Sequence, residues 1–148
     1  MGGSEMTCHD AGRPLSVLCV DDNNAVADAL AIKLRRSGQF VWRGKLADAG
    51  ALVETVLRDR PSLVILDIDM PGKDPFAALQ EMSEQCPDTR AIVFSGHVSP
   101  DLVRCAIESG AWGYVSKSDG EESLVDAMQR VANGELVLSR EAQQVYHE

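Results

Sequence analysis

No apolar run in the chain approaches the roughly 20 residues that a membrane span requires, so no span is expected. Basic residues are scarce: 14 Lys and Arg stand against 23 Asp and Glu, a formal net charge of −9. Phosphate neutralisation needs clustered Lys and Arg, so direct contact with nucleic acid is not expected. The cysteines Cys8, Cys19, Cys86 and Cys105 show no CxxC spacing, and His9, His97 and His147 no paired zinc-ligand spacing. Cys19 and Cys105 lie in apolar segments, which reads as buried free thiols in a reducing cytoplasm. Residues 1–13 hold no apolar core of a signal peptide and are expected to be mobile. No GxGxxG follows the first apolar run, which leaves dinucleotide binding without support. Trp42 and Trp112 have no basic residues interleaved around them and read as packing residues.

What remains is a chain of 148 residues, 45% apolar and 25% charged, enough for one soluble domain with a hydrophobic core. From Pro14 onward, short apolar runs alternate with stretches of helical periodicity. Leu15–Val20, Phe40–Trp42, Leu63–Leu66, Ala91–Phe94 and Trp112–Val115 read as strands, and the uniformly apolar third suits a strand buried on both faces. Between them, Val26, Leu30 and Leu34 mark a first helix; Ala49, Leu52, Val53, Val56 and Leu57 a second. Asp74-Pro75 and Ser99-Pro100 each place a capping side chain before a proline at the first helical position. A fifth helix is expected from about Ser118–Glu121, where S-x-x-E has the form of a capping box, to Gly134. Five strand–helix units in alternation predict an α/β, doubly wound, five-stranded parallel sheet of order 2-1-3-4-5, the flavodoxin-like arrangement. The domain is expected over residues 14–134. Residues 135–148 are read as a tail, a loop with a partial extra helix, leading toward an output domain.

In such a sheet, ligands lie outside the carboxyl ends of the strands, where the strand order reverses. The first strand runs into Asp21-Asp22 and the third into Asp67; the fourth ends in Ser95-Gly96, and Lys117 follows the fifth. Taken singly, each aspartate could be a helix cap, Ser95 a turn hydroxyl and Lys117 a solvated side chain. Taken together they are three like charges in one crevice, which raise one another's pKa unless cations compensate them. Lys117 supplies one positive charge, and a hard divalent ion such as Mg²⁺, which takes few carboxylates and recruits phosphate oxygens, suits the rest. A carboxylate so placed can act as nucleophile toward a phosphoryl group, with the ammonium, the Ser95 hydroxyl and backbone N–H groups neutralising the equatorial oxygens.

These residues resemble the receiver domain of two-component response regulators, the CheY-like family. The resemblance covers about residues 15–134. It is carried by Asp21-Asp22, Asp67-Ile68-Asp69-Met70-Pro71-Gly72, Ser95-Gly96 and Gly110-Ala111-Trp112-Gly113-Tyr114-Val115-Ser116-Lys117. It implies Asp67 as phosphoacceptor, Mg²⁺ held by Asp22, Asp67 and the Asp69 backbone carbonyl with Asp21 orienting metal-bound water, and Ser95 and Lys117 on the phosphoryl oxygens. Tyr114 is implied as the aromatic switch that turns inward when Ser95 engages phosphate. The stretch from Gly110 to Lys117 and the run Gly134–Ser139 look most like receivers of the NarL/LuxR type, in which a DNA-binding domain usually follows. The resemblance further implies a cytoplasmic phosphoacceptor switch rather than an enzyme with an external substrate. A sensor histidine kinase would be the donor, with an output face, and the surface for a homodimer, on the fourth helix, fifth strand and fifth helix. A stand-alone regulator and a constitutive, unphosphorylated interaction module are the alternatives. A haloacid-dehalogenase-type phosphohydrolase would also place acids like Asp67 and Asp69 after a strand, but Pro71 stands where that family has Thr or Val. Asp69 and His97 occupy positions that tune dephosphorylation in the family.

Overall fold

In the computed structural model, which describes residues 14–146, four consecutive residues with almost no solvent exposure, Leu63–Leu66, form the centre of a parallel sheet. This strand, β3, pairs with β1 (Leu15–Val20) on one side and β4 (Arg90–Ser95) on the other. Beyond β1 lies β2 (Phe40–Leu46), and beyond β4 lies β5 (Gly113–Ser116). The order 2-1-3-4-5 is as expected, but the sheet has six strands rather than five. Val137–Leu138 adds a short β6, parallel to β5 in the register Gly113↔Val137 and Tyr114↔Leu138. Two residues are too few to show a period of two, and β6 exists because the β5 edge offers unpaired backbone groups. The expected mobile segment 1–13, with Cys8 and His9, lies outside the described residues, as does His147.

Helices cover both faces. On one, α1 (Asn24–Ser37) and α5 (Gly120–Ala132) bring Ala27, Leu30 and Leu34, and Leu124, Met128 and Val131, against Val17, Cys19, Ile65, Ile92 and Val115. On the other, α2 (Leu52–Asp59), α3 (Pro75–Gln85) and α4 (Pro100–Glu108) pack Leu52, Val56, Leu79, Met82, Val103 and Ala106 on Leu18, Val64, Leu66 and Val93. A final helix, α6 (Arg140–Tyr146), joins this second layer against α4 and β5, with Ala142 fully buried. Residues 137–146 are therefore a strand and a helix folded onto the sheet: the extra helix is as expected, and β6 stands where a loop was expected.

The proline-linked caps form as anticipated: Asp74 Oδ1 accepts from Phe76 N at 3.0 Å, and Ser99 Oγ from Leu102 N at 3.1 Å. The Ser118–Glu121 capping box does not. Lys117–Asp119 is a 3₁₀ turn capped by Ser116, α5 starts at Gly120, and Asp119 Oδ2 instead accepts from Glu141 N of α6. A tertiary partner has taken the cap. The cysteine reading is also corrected in part, since Cys19 and Cys86 are buried but Cys105 faces out from α4.

Gly110, which ends the α4 turn, has φ +108°, and a Cβ there would lie 2.3 Å from Ser83 Oγ and 2.7 Å from Ser83 Cβ of α3. Unfavourable backbone and overpacking act together, so Gly110→Ala is expected to lose roughly 2–4 kcal/mol, read as a lower urea midpoint.

Candidate functional site

Each of the four strands β1, β3, β4 and β5 delivers polar residues to the same edge of the sheet. Toward their carboxyl ends these strands are buried and largely apolar, so the polar side chains that follow emerge together where the backbone leaves the ladder. Asp21 follows β1, its N–H bonded to Leu46 O at 3.0 Å; Asp67 follows β3, its N–H bonded to Val20 O at 2.8 Å. These two backbone bonds tie the acid-bearing ends of β1 and β3 to neighbouring strands, and the Asp21, Asp22 and Asp67 oxygens lie within 4.8 Å of one another.

Lys117 reaches across from the end of β5. Its Nζ lies 3.0 Å from Asp21 Oδ2 and 3.8 Å from Asp67 Oδ2, joining residues 96 positions apart in the chain. The Asp21 and Asp67 side chains are only 3% and 5% exposed, whereas Lys117 keeps 25% of its side chain in solvent and Asp22 is exposed. Asp21 Oδ1 also accepts from Asn23 N at 2.8 Å, and Asp67 Oδ1 from Asp69 N at 3.2 Å.

One ammonium does not offset the cost of burying the Asp67 charge. Burial, with Asp21 adding to it, pushes the Asp67 carboxyl from the ordinary 3.8 up to about 6, against the opposing pull of the Asp69 N–H and Lys117. The crevice is short of positive charge, and the oxygen donors around it are those a hard divalent cation takes.

Ser95, fully buried at the end of β4, does not point its proton at Asp67. Its Oγ donates to Asp69 Oδ2 at 2.8 Å and accepts from His97 N at 3.0 Å. His97 Nδ1 stands 2.9 Å from the same Asp69 oxygen, and this bond holds the imidazole pKa above its usual value. Tyr114, also fully buried, donates from its hydroxyl to His97 O at 2.6 Å; burial pushes its phenol up to about 12. Gly96 would place a Cβ with no protein atom within 4 Å, so the space beside Ser95 is open.

The residues singled out in the sequence, Asp21, Asp22, Asp67, Asp69, Ser95, Tyr114 and Lys117, are thus gathered at one edge of the sheet. The linkage of Asp69 to Ser95 and His97 was not anticipated. Its only trace in the sequence is the shared offset: Asp69 stands two residues past Asp67, and His97 two past Ser95.

Known proteins resemble the chain over most of its length. Residues 17–129 match the family model described as the response regulator receiver domain. The chain is 32% identical over 124 residues to the probable transcriptional regulatory protein SgaR of Hyphomicrobium methylovorum, covering 84% of this chain and 59% of that protein. It is 28% identical over 126 residues to the nitrate/nitrite response regulator NarL of Escherichia coli, covering 85% and 58%. The chain therefore spans somewhat under two thirds of the length of these relatives. Among solved structures, a LuxR-family two-component response regulator from Aurantimonas superposes with a TM-score of 0.85 at 25% identity, covering 90% of this chain and 96% of that one.

Proposed function

Since the chain belongs to the response regulator receiver family, we propose that it is a signalling switch operated by phosphorylation of Asp67. The observation that carries this reading is the convergence of Asp21, Asp22 and Asp67 with the Lys117 ammonium at the ends of β1, β3 and β5. In the reaction, an Asp67 carboxylate oxygen attacks the phosphorus of a histidine kinase phosphohistidine or a small acyl phosphate. The donor's P–N or P–O bond breaks, its electron pair leaves with imidazole or carboxylate, and the phosphoryl group ends as a mixed anhydride on Asp67. Lys117, the Ser95 hydroxyl and the N–H groups after Asp67 and Ser95 hold its oxygens. Hydrolysis returns Asp67 to a carboxylate.

Receiver domains generally bind Mg²⁺ in an acidic pocket, and the donor set here fits it: clustered carboxylates, one raised in pKa by burial and its neighbours. Asp22, Asp67 and the Asp69 carbonyl would hold the ion, with Asp21 orienting its water. Bound there, it would supply positive charge to the phosphoryl oxygens.

The readout runs through Ser95 and Tyr114 to α4, β5 and α5, the face assigned to dimerisation or partner docking. Because α6 lies against α4 and β5, that face includes this chain's own residues 140–146. Control of transcription through a following DNA-binding domain is the output we assign, on the similarity to SgaR and NarL. On its family membership we place the protein in the cytoplasm; separately, no helix among the described residues is long and apolar enough to cross a membrane.

Incubation with acetyl phosphate is expected to add one phosphoryl group per chain with Mg²⁺, and none once EDTA removes the metal. Intact-protein mass spectrometry reads the result. Metal-independent incorporation at another residue would refute the assignment.

A further inference from the structure

The hydroxyl of Ser95 has one proton, and in this fold it is already committed. It donates to Asp69 Oδ2 at 2.8 Å while Asp67 is a free carboxylate. The same oxygen of Asp69 faces His97 Nδ1 at 2.9 Å, so the end of β4 and the loop after it deliver two donors to one acceptor. The loop is tied a third time from within: the buried Tyr114 hydroxyl donates to His97 O at 2.6 Å, and His97 N donates to Ser95 Oγ at 3.0 Å. Ser95 and Tyr114 are both fully buried, so neither group has water as an alternative partner, and a bond to a charged acceptor is among the stronger ones available. One proton cannot serve Asp69 and a phosphoryl oxygen on Asp67 at once.

We propose that the Asp69 carboxylate, steadied by His97, is a positioning residue that stands in for the phosphoryl group. It holds Ser95, and through the His97 backbone Tyr114, in the inward arrangement before phosphorylation. Phosphorylation then exchanges one anionic partner of Ser95 for another, so the α4–β5 face is reached by the shift of the Ser95 hydroxyl from Asp69 toward Asp67 and not by an inward turn of Tyr114, which is already buried. This rests on the phosphoacceptor reading for its meaning, although the latch itself is a property of the unmodified chain.

Hydrogen exchange over residues 96–104 tests it in the wild type, Asp69→Ala, Ser95→Ala and the double variant, each with and without Mg²⁺ and the phosphoryl mimic BeF₃⁻. Asp69→Ala is expected to speed exchange of these amides by about tenfold or more. Ser95→Ala should do likewise, and the double variant should fall clearly short of the sum of the two, because the Ser95–Asp69 bond is shared while only the His97 contacts of each residue are separate. BeF₃⁻ is expected to change the wild type little and to restore protection to Asp69→Ala. Asp69→Asn, whose amide oxygen still accepts from Ser95, should keep most of the wild-type protection.

Unchanged exchange in Asp69→Ala would overturn the proposal. So would effects of Asp69→Ala and Ser95→Ala that add, or a gain of protection on BeF₃⁻ as large in the wild type as in Asp69→Ala. Failure of the phosphoacceptor reading shows separately, as absence of acetyl phosphate labelling in the wild type, while the exchange cycle in unmodified protein still decides the latch.

Discussion

Asp67→Asn is expected to abolish labelling by acetyl phosphate and, at the same time, to make the protein more stable. The amide is isosteric but no nucleophile, so the mixed anhydride cannot form at residue 67. The stability gain follows from the carboxyl's raised pKa, about 6 in the fold against an ordinary 3.8. A group that holds its proton more tightly in the folded than in the unfolded state costs nothing below the lower value. It costs progressively more as the pH rises through the window from about 4 to 6, and a constant amount above it. The upper limit is about 3 kcal/mol, and with local relaxation and water about 1–2 kcal/mol is expected. Melting at pH 7.5 should therefore show Asp67→Asn above the wild type by roughly 3–8 °C, a difference that shrinks toward pH 4. Equal melting temperatures at both pH values would contradict the cost of holding a charged Asp67 in its buried place, from which the prediction follows. Retained labelling would contradict the acceptor assignment.

Lys117→Met should slow labelling without abolishing it, with the opposite effect on stability. The ammonium is 3.0 Å from Asp21 Oδ2 and 3.8 Å from Asp67 Oδ2. Loss of one preorganised positive group at a transferring phosphoryl typically costs about 10²–10³ in rate, and that is the slowing expected in a labelling time course. In the fold, Asp21 would keep the Asn23 N–H at 2.8 Å but lose its charged partner while 3% exposed. Breaking a wholly buried pair costs about 3–5 kcal/mol; with a quarter of the lysine side chain in solvent, about 1–3 kcal/mol is expected, seen as a lower urea midpoint. The opposite signs separate these variants from general damage. One removes an excess charge from the crevice and the other removes its compensation.

Much of the architecture was legible in the chain itself. Leu63–Leu66 reads as a doubly buried strand because four apolar residues in a row admit few other places, and Asp74-Pro75 and Ser99-Pro100 mark helix starts by local chemistry alone. The positions of Asp21, Asp67, Ser95 and Lys117 at strand ends then place them on one edge, since parallel strands share a direction. Where local signals were short or shared, the reading failed. β6 has two residues and forms only on the β5 edge, the Ser118–Glu121 cap yields to the bond between Asp119 and Glu141, and Cys105 lies on the outer side of an amphipathic helix.

The chemistry available at the site was thus determined by sequence, because which residues follow the strands is a local property and parallel pairing carries them to a common edge. Which acid takes the Ser95 proton, how far Asp67 is raised, and what α6 covers were decided by tertiary structure alone. Those depend on distances of about 3 Å between residues 20 to 100 positions apart, set by the packing of both helical layers on the sheet.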